Sequence, residues 1–496
     1  MLNQTNRREF LLASMGMAAA ARFGLGASSD DLAALTLKQV SEQIRAKKLS
    51  PVELTEACLS RIKVYSPKMN AFITVMQDKA LEQAKQLERE QMAGRFRSSL
   101  HGIPLGIKDN IDTAGTRTTA ASAVFEDRVP TEDAEVVRRL KLAGAILIGK
   151  TNLHEFASGG TSAVSYWGPV RNPWNLERYA GGSSGGSAVS VAMDLCYGAL
   201  GTDTGGSIRT PSAHCGVVGL KPTYGRVSIR GIVPLTWSLD HCGPIARTVE
   251  DAAMVLQQIA GYDKLDIDSE EHPVGNYVAA IGAPVAGFRI GIPPRYFDVI
   301  EPDVRRAVEE AIAVLNKLTK GSHEVNLPEP LAGQLGAEGV AYHTDLHASD
   351  NLYMSGRGRT GNQESVGNYV RAWRELQLLR RTVDDAFQDI DVVVMPTRRR
   401  TAKSIAEELK PRSPNAPAPA PDPENTRPFD AYGIPAISVP CGYDHDGMPI
   451  GLQIAAAHWN EEKVIALAHA YQEATEWHKR RPPLQPETKV PTLNER

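Results

Sequence analysis

The chain is poor in the residues that build a metal centre or a disulfide framework: its five cysteines, Cys58, Cys196, Cys215, Cys242 and Cys441, are scattered and odd in number. They read as buried free thiols. Net charge is nearly absent too, −3 over 496 residues, which gives no signature of a nucleic-acid partner or a membrane surface. The run Arg398-Arg399-Arg400 is too short to change that and reads as a solvated rim, at most that of a substrate entrance. Long apolar runs are missing as well, and the N-terminal stretch after Arg8 is too short to span a bilayer. What is present is core material, with 42% hydrophobic against 23% charged residues.

Histidine is missing where the chemistry is densest. Residues 180–215 carry two clusters, Gly181-Gly182-Ser183-Ser184-Gly185-Gly186-Ser187 and Thr204-Gly205-Gly206-Ser207, separated by small and apolar residues that can bury a connecting element. Glycine lets backbone N–H groups approach a ligand closely and allows positive φ, so such turns can aim amides at one developing negative charge. Ser207 beside them is a candidate nucleophile, but a free hydroxyl is nearly inert at neutral pH without a base. The candidate base is Lys108, which closes the apolar, strand-like run Gly102-Ile103-Pro104-Leu105-Gly106-Ile107. Burial there disfavours the ammonium and lets the amine accept a proton near neutral pH.

Taken together, GIPLGIKDN, GGSSGGS and GTDTGGSIRTPS closely resemble the amidase signature family, whose members cleave amides with a Ser-Ser-Lys triad. The resemblance covers nearly the whole chain after an N-terminal segment. It implies an α/β fold in a single large domain over residues 28–480, with a mixed central sheet, helices on both faces and a tail over 481–496. Position by position it implies Ser207 as the acylated nucleophile, Ser183 in a cis peptide as the bridging serine, and Lys108 as the terminal base. It further implies an oxyanion cradle from the backbone amides of Thr204, Gly205, Gly206 and Ser207, and pocket residues at Ala157 and Ser158. Asp203 and Arg209 flank the nucleophile and are expected to orient its turn. No metal and no organic cofactor is implied. One departure is Asp430, where similar proteins usually carry asparagine.

In chain order, Asn6-Arg7-Arg8-Glu9-Phe10-Leu11-Leu12 and the alanines up to Ala21 read as a twin-arginine export signal over residues 1–27, which places the working protein in the periplasm or outside. Thr36 and Ser50 read as caps of helices over 37–46 and from Pro51 to about Tyr65, and a third helix is predicted over 77–92. Strands over 103–107 and 145–148 flank a helix over 132–143, an alternation that predicts an α/β sheet. Further helices are predicted over 249–260, 302–318 and 460–476, and strands over 288–292, 392–395, 433–440 and 447–454. Residues 155–174 read as a long loop beside the site, with Trp174 as a packed anchor, and the proline-rich segment 411–428 as an extended cover.

Three motif matches are set aside. Residues 144–151 have P-loop spacing, but Ala145-Ile146-Leu147-Ile148 wants to be a buried strand rather than an exposed cradle. Gly182-Ser183-Ser184-Gly185-Gly186 fits the nucleophile elbow with Ser184, yet the preceding Asn175-Leu176-Glu177-Arg178-Tyr179 reads as polar and irregular. His343 and His347 have half the spacing of a zinc site and no third ligand. The functional expectation is an exported amidase forming an acyl-serine on a small-molecule amide, with no stable membrane insertion and room for a homodimer. Carbamate or ester hydrolysis by the same mechanism, the glutaminase subunit of a transfer-RNA amidotransferase, and a non-catalytic periplasmic binding protein are the alternatives.

Overall fold

The computed structural model describes residues 29–330, 335, 338, 342, 365–410 and 425–493. The export segment 1–27, His343, His347 and residues 411–424 of the proline-rich segment lie outside them.

Capping chemistry sets the first helices. The Thr36 hydroxyl accepts from the Gln39 amide at 3.1 Å while the Gln39 side chain accepts from the Thr36 amide at 2.9 Å, opening helix Leu37–Arg45. Ser50 and Glu53 repeat the device for helix Pro51–Met69, which runs past the predicted end at Tyr65 and takes Pro67 into its last turn before stopping at Asn70, φ 57°. Helix Gln77–Met92 has the predicted bounds, and Thr248 caps helix Val249–Ile259 by accepting from the Asp251 amide.

Eleven strands form one mixed sheet. They are β1 (Phe72–Val75), β2 (Pro104–Lys108), β3 (Ile146–Thr151), β6 (Gly198–Asp203), β7 (Val218–Lys221), β8 (His241–Ala246), β9 (Ile290–Ile292), β10 (Ser322–Glu324), β11 (Val392–Pro396), β12 (Ala436–Tyr443) and β13 (Pro449–Ala455). Strands β4 (Arg171–Asn172) and β5 (Asn175–Tyr179) stand apart as a two-stranded ribbon. The sheet order is β1-β3-β2-β6-β8-β7-β12-β13-β11-β9-β10. Every residue of β2, β3, β6, β8, β12 and β13 is buried, as expected for strands covered on both faces. The covers include Glu135–Ala143 between β2 and β3, Gly185–Ala192, Arg209–Cys215, and helix Pro302–Leu318, whose bounds are as predicted.

Two readings are corrected or closed here. Residues 175–179 are not irregular: β5 pairs with β4, and the sequence hid it because only Leu176 and Tyr179 are buried. The P-loop match is strand β3, and Lys150 within it donates to the Ile111 carbonyl and the Thr118 hydroxyl, so no phosphate cradle forms.

Candidate active site

β2 and β6 are adjacent and parallel, with Ile107 opposite Leu200. Their carboxyl ends therefore emerge together, which is where open α/β sheets bind ligands. Lys108 ends β2, while Thr202 and Asp203 end β6 and lead into the turn that carries Ser207. The other serine cluster sits in the turn that precedes helix Gly185–Ala192, all eight residues of which are buried.

Lys108 has no solvent exposure, and its Nζ lies 2.7 Å from Ser183 Oγ and 2.7 Å from Thr202 Oγ1. Burial pulls this amine down to about 7, against the opposing pull of Asp203, Asp240 and Cys242. The Gly182–Ser183 peptide bond is cis. The Ser183 carbonyl accepts from the His154 amide and from Ser162 Oγ, each at 3.1 Å, and the Ser184 amide donates to the Ser207 carbonyl at 3.2 Å. Thus the two clusters are stitched together by backbone. The Ser207 hydroxyl makes no hydrogen bond among the described residues, not even to Ser183, and Ser207 stays 8% exposed.

The turn at the nucleophile is held by charge. Asp203 accepts from the amides of Gly206 and Ile208, and its carboxylate pairs with Arg209 Nε at 2.9 Å, both side chains fully buried. Burial alone would raise Asp203, but Arg209 overcomes it and holds the carboxyl well below its usual range. This is no surface ion pair. Because the Gly206 amide is spent on Asp203, it drops out of the expected oxyanion cradle; the amides of Thr204, Gly205 and Ser207 are unengaged among the described residues. Gly206 sits at φ +128°, and any Cβ there would collide with Thr426 Oγ1, which donates to the Gly205 carbonyl at 2.7 Å. Arg209 also donates to Asp430 at 2.6 Å, so the departure from asparagine places a second carboxylate on the same guanidinium. Burial pushes Asp430 well above the ordinary carboxylate value against that pairing.

Other expected residues divide. Ala157, φ +57°, packs with Ala121 and Leu153, and its tie to the cluster runs through His154, whose carbonyl accepts from the Ala157 amide at 2.9 Å. Ser158 Oγ is buried without a hydrogen-bond partner. Ser184 is not an elbow nucleophile, since its buried hydroxyl donates to the Thr202 carbonyl at 3.2 Å. Trp174 anchors its loop by donating to the Cys215 carbonyl at 2.9 Å. His214, near Ser207 in sequence, is driven down to about 3 by burial and meets the Arg400 carbonyl instead. The three arginines are half-buried rather than a solvated rim, with Arg399 donating to the Asn425 side chain and to the carbonyls of Asp298 and Arg295. Among the described residues no group of histidine, cysteine and carboxylate side chains is arranged to hold a metal ion, and no helix is long and apolar enough to cross a membrane.

Three residues of the site were missed. Thr202 and Asn110 stand inside the quoted motifs, and Asn110 Nδ2 donates to Thr202 Oγ1 and to the Val233 carbonyl, each at 3.3 Å. Asp240 carries no motif; it accepts from Thr204 Oγ1 at 2.5 Å and from the amides of Leu235 and Thr236, and burial pushes it up to about 6. The segment it anchors also lines a cavity of about 810 Å³ through Ile232, Trp237 and Ser238. The Lys108–Thr202 contact spans 94 positions, so only the fold reveals it.

A family model described as Amidase matches residues 53–351 and 347–465. The A-subunit of the glutamyl-tRNA(Gln) amidotransferase of Geobacter sp. (strain M21) is 38% identical over 495 residues, covering 91% of this chain and 99% of that protein. Among solved structures, the protein of the same name from Thermotoga maritima superposes with TM-score 0.73 at 31% identity, over 93% of this chain and 98% of that one. The 6-aminohexanoate cyclic dimer hydrolase superposes with TM-score 0.81 at 28% identity, over 91% and 99%. The expectation of an exported amidase working in the periplasm is overturned by the first of these relatives and others like it: proteins matched along 91% of the chain are named as part of an enzyme of glutamyl-tRNA(Gln). The paired arginines outweighed the amidotransferase reading at the sequence, and their weight was misplaced. The chain belongs to the amidase family, its fold is the single large α/β domain of that family, and its activity is of the amidase class.

Proposed function

We propose that the chain is the amide-cleaving component of an amidotransferase, a glutaminase that releases ammonia from the side-chain carboxamide of glutamine through an acyl-serine. Ser207 Oγ attacks the carboxamide carbon while its proton passes to Ser183 Oγ, and the Ser183 proton passes to Lys108 Nζ. The amides of Thr204, Gly205 and Ser207 receive the developing oxyanion. Collapse breaks the C–N bond, a proton returns along the same route to the leaving nitrogen, and ammonia departs. Water then cleaves the ester, giving glutamate and free Ser207.

The observation that carries this reading is the contact of Lys108 with two hydroxyls at 2.7 Å and with no carboxylate, beside amides that the turn leaves unspent. The choice of glutamine rests on the names of the relatives. Those names speak of one part of a larger enzyme, so a heteromeric assembly stands ahead of a homodimer. The test is ammonia release by the purified chain from L-glutamine, L-asparagine, a simple aliphatic amide and a chromogenic anilide. Turnover of glutamine above the others is the expected result. Turnover of the anilide or the aliphatic amide with none of glutamine would overturn the substrate and leave the amidase class standing.

A further inference from the structure

A lysine base works only if its lone pair points at the proton it is to take. The neutral amine of Lys108 has two N–H donors and one lone pair, and its two hydrogen-bond partners, Ser183 Oγ and Thr202 Oγ1, are hydroxyls that can each donate or accept. Geometry at Nζ alone does not choose between them. If Thr202 donated to the amine, the lone pair would be spent on the wrong side and Ser183 would face an N–H.

Asn110 supplies the choice. Its amide nitrogen donates to Thr202 Oγ1 and to the Val233 carbonyl, and the carbonyl can only accept, so the amide cannot turn its oxygen towards Thr202 without losing that bond. The Val233 amide in turn donates to the Asn110 carbonyl at 2.8 Å, which pins the two segments together. With one lone pair of Thr202 filled by Asn110 and the other by a lysine N–H, Thr202 is an acceptor towards Lys108. The geometry points to Thr202 as the positioning residue that turns the lone pair of Lys108 onto Ser183, with Asn110 fixing the polarity of Thr202. This rests on the reading of Lys108 as the base. When Lys108 takes the Ser183 proton, the ammonium donates to both hydroxyls, so no side chain has to move between the two states.

The charged and titratable groups facing Lys108 are Asp203 at the end of β6, Asp240 in the loop before β8, and Cys242 on β8. None is within hydrogen-bond reach of Nζ, and the carboxylates are taken up by Arg209 and by Thr204. Lys150 on β3 pairs with Ile107, one residue before Lys108, so strand alternation sends it to the other face.

The test needs no knowledge of the amide. The rate at which a fluorophosphonate probe labels Ser207 is followed from about pH 5 to about pH 9 in the full chain and in Thr202→Val, Thr202→Ser, Asn110→Ala and Lys108→Met. Thr202→Val should label roughly tenfold more slowly at its plateau and show its acid limb at lower pH, because the ammonium loses a hydrogen bond worth more to it than to the amine. Thr202→Ser should restore both rate and limb. Asn110→Ala should slow the plateau with a smaller displacement of the limb. A folded Thr202→Val with wild-type plateau and limb overturns the inference, and should that variant fail to fold, a wild-type plateau in Asn110→Ala does so. In either event Lys108→Met separates the two readings: if it is inert, only the role of Thr202 has failed, and if it labels at the wild-type rate, the base itself was misassigned.

Discussion

Lys108 and Lys150 stand on neighbouring parallel strands, both with no exposure, and the chain has put opposite chemistry around them. Lys150 donates to the Ile111 carbonyl at 2.7 Å and to Thr118 Oγ1 at 2.6 Å, and its charge faces Asp109 at 3.4 Å. Burial lowers its pKa while Asp109 opposes the fall. Carbonyls and carboxylates only accept, so Lys150 has fixed uses for its protons, whereas the hydroxyls around Lys108 can exchange theirs. Depth of burial is therefore shared by the two pockets, and the character of the acceptors separates a structural lysine from one that can turn over a proton.

The comparison breaks most severely at the base. Lys108→Arg should lose turnover by about a hundredfold to ten-thousandfold, the usual contribution of a proton relay, because guanidinium cannot be deprotonated. Ser207→Ala should abolish it, and both are read by ammonia release. Near-normal turnover in Lys108→Arg would mean that the proton goes elsewhere.

The opposite outcome is expected one strand away. Lys150→Met leaves Asp109 buried beside only Thr119 and should cost about 3–5 kcal/mol of stability, as for other broken buried pairs. Denaturant unfolding measures that loss, while activity per folded molecule should hold, since Lys150 faces away from Lys108.

This contrast also marks how far the sequence could be read. Capping boxes at Thr36 and Ser50, the run of Pro302–Leu318 and the base at Lys108 were legible because each is signalled by residues within a turn or a strand of itself. Lys150 drew notice only as part of a P-loop match, and β3 absorbed it. Thr202, Asn110 and Asp240 were illegible as a unit because their meeting is made by sheet order, β2 against β6 against β8, which no local pattern encodes. The spent amide of Gly206 was hidden for the same reason: glycine promises a free N–H, and only the fold shows Asp203 taking it. The paired arginines were the costliest signal, a local motif given authority over residues matched along the rest of the chain.

A third buried lysine sharpens the contrast at a smaller scale. Lys221 ends β7 and donates to the carbonyls of Ile434 at 2.7 Å and Pro222 at 3.1 Å. Lys221→Met should leave those carbonyls unsatisfied and cost about 1–3 kcal/mol for each, less than Lys150→Met because no carboxylate is stranded within ion-pair distance. The same unfolding measurement orders the two, and equal losses would show that the carboxylate near Lys150 carries no weight.

The smallest expected effect is on the pH profile. Burial pulls Lys221 down to about 7, as it does Lys108, so the two cannot be told apart by burial. Their partners tell them apart. His241 Nδ1 lies 2.7 Å from the Leu239 carbonyl and therefore carries a proton, which leaves Nε2, 3.2 Å from Lys221, as an acceptor. Three acceptors surround Lys221 and none leads to Ser183, so its titration moves no proton at the site. The rate is thus expected to follow Lys108 alone: kcat/KM rises with pH through about 7 as that amine loses its proton. Lys221→Met should leave this limb in place. Stability has the same sign for both lysines, because each folded pKa lies below an unfolded value of about 10.4: the penalty is absent above the unfolded pKa, grows as pH falls, and is complete below about 7. Either Lys→Met variant should therefore gain on the parent as pH drops across that window, but only Lys108→Met should abolish turnover. An acid limb that shifted in Lys221→Met would show the two pockets to be coupled.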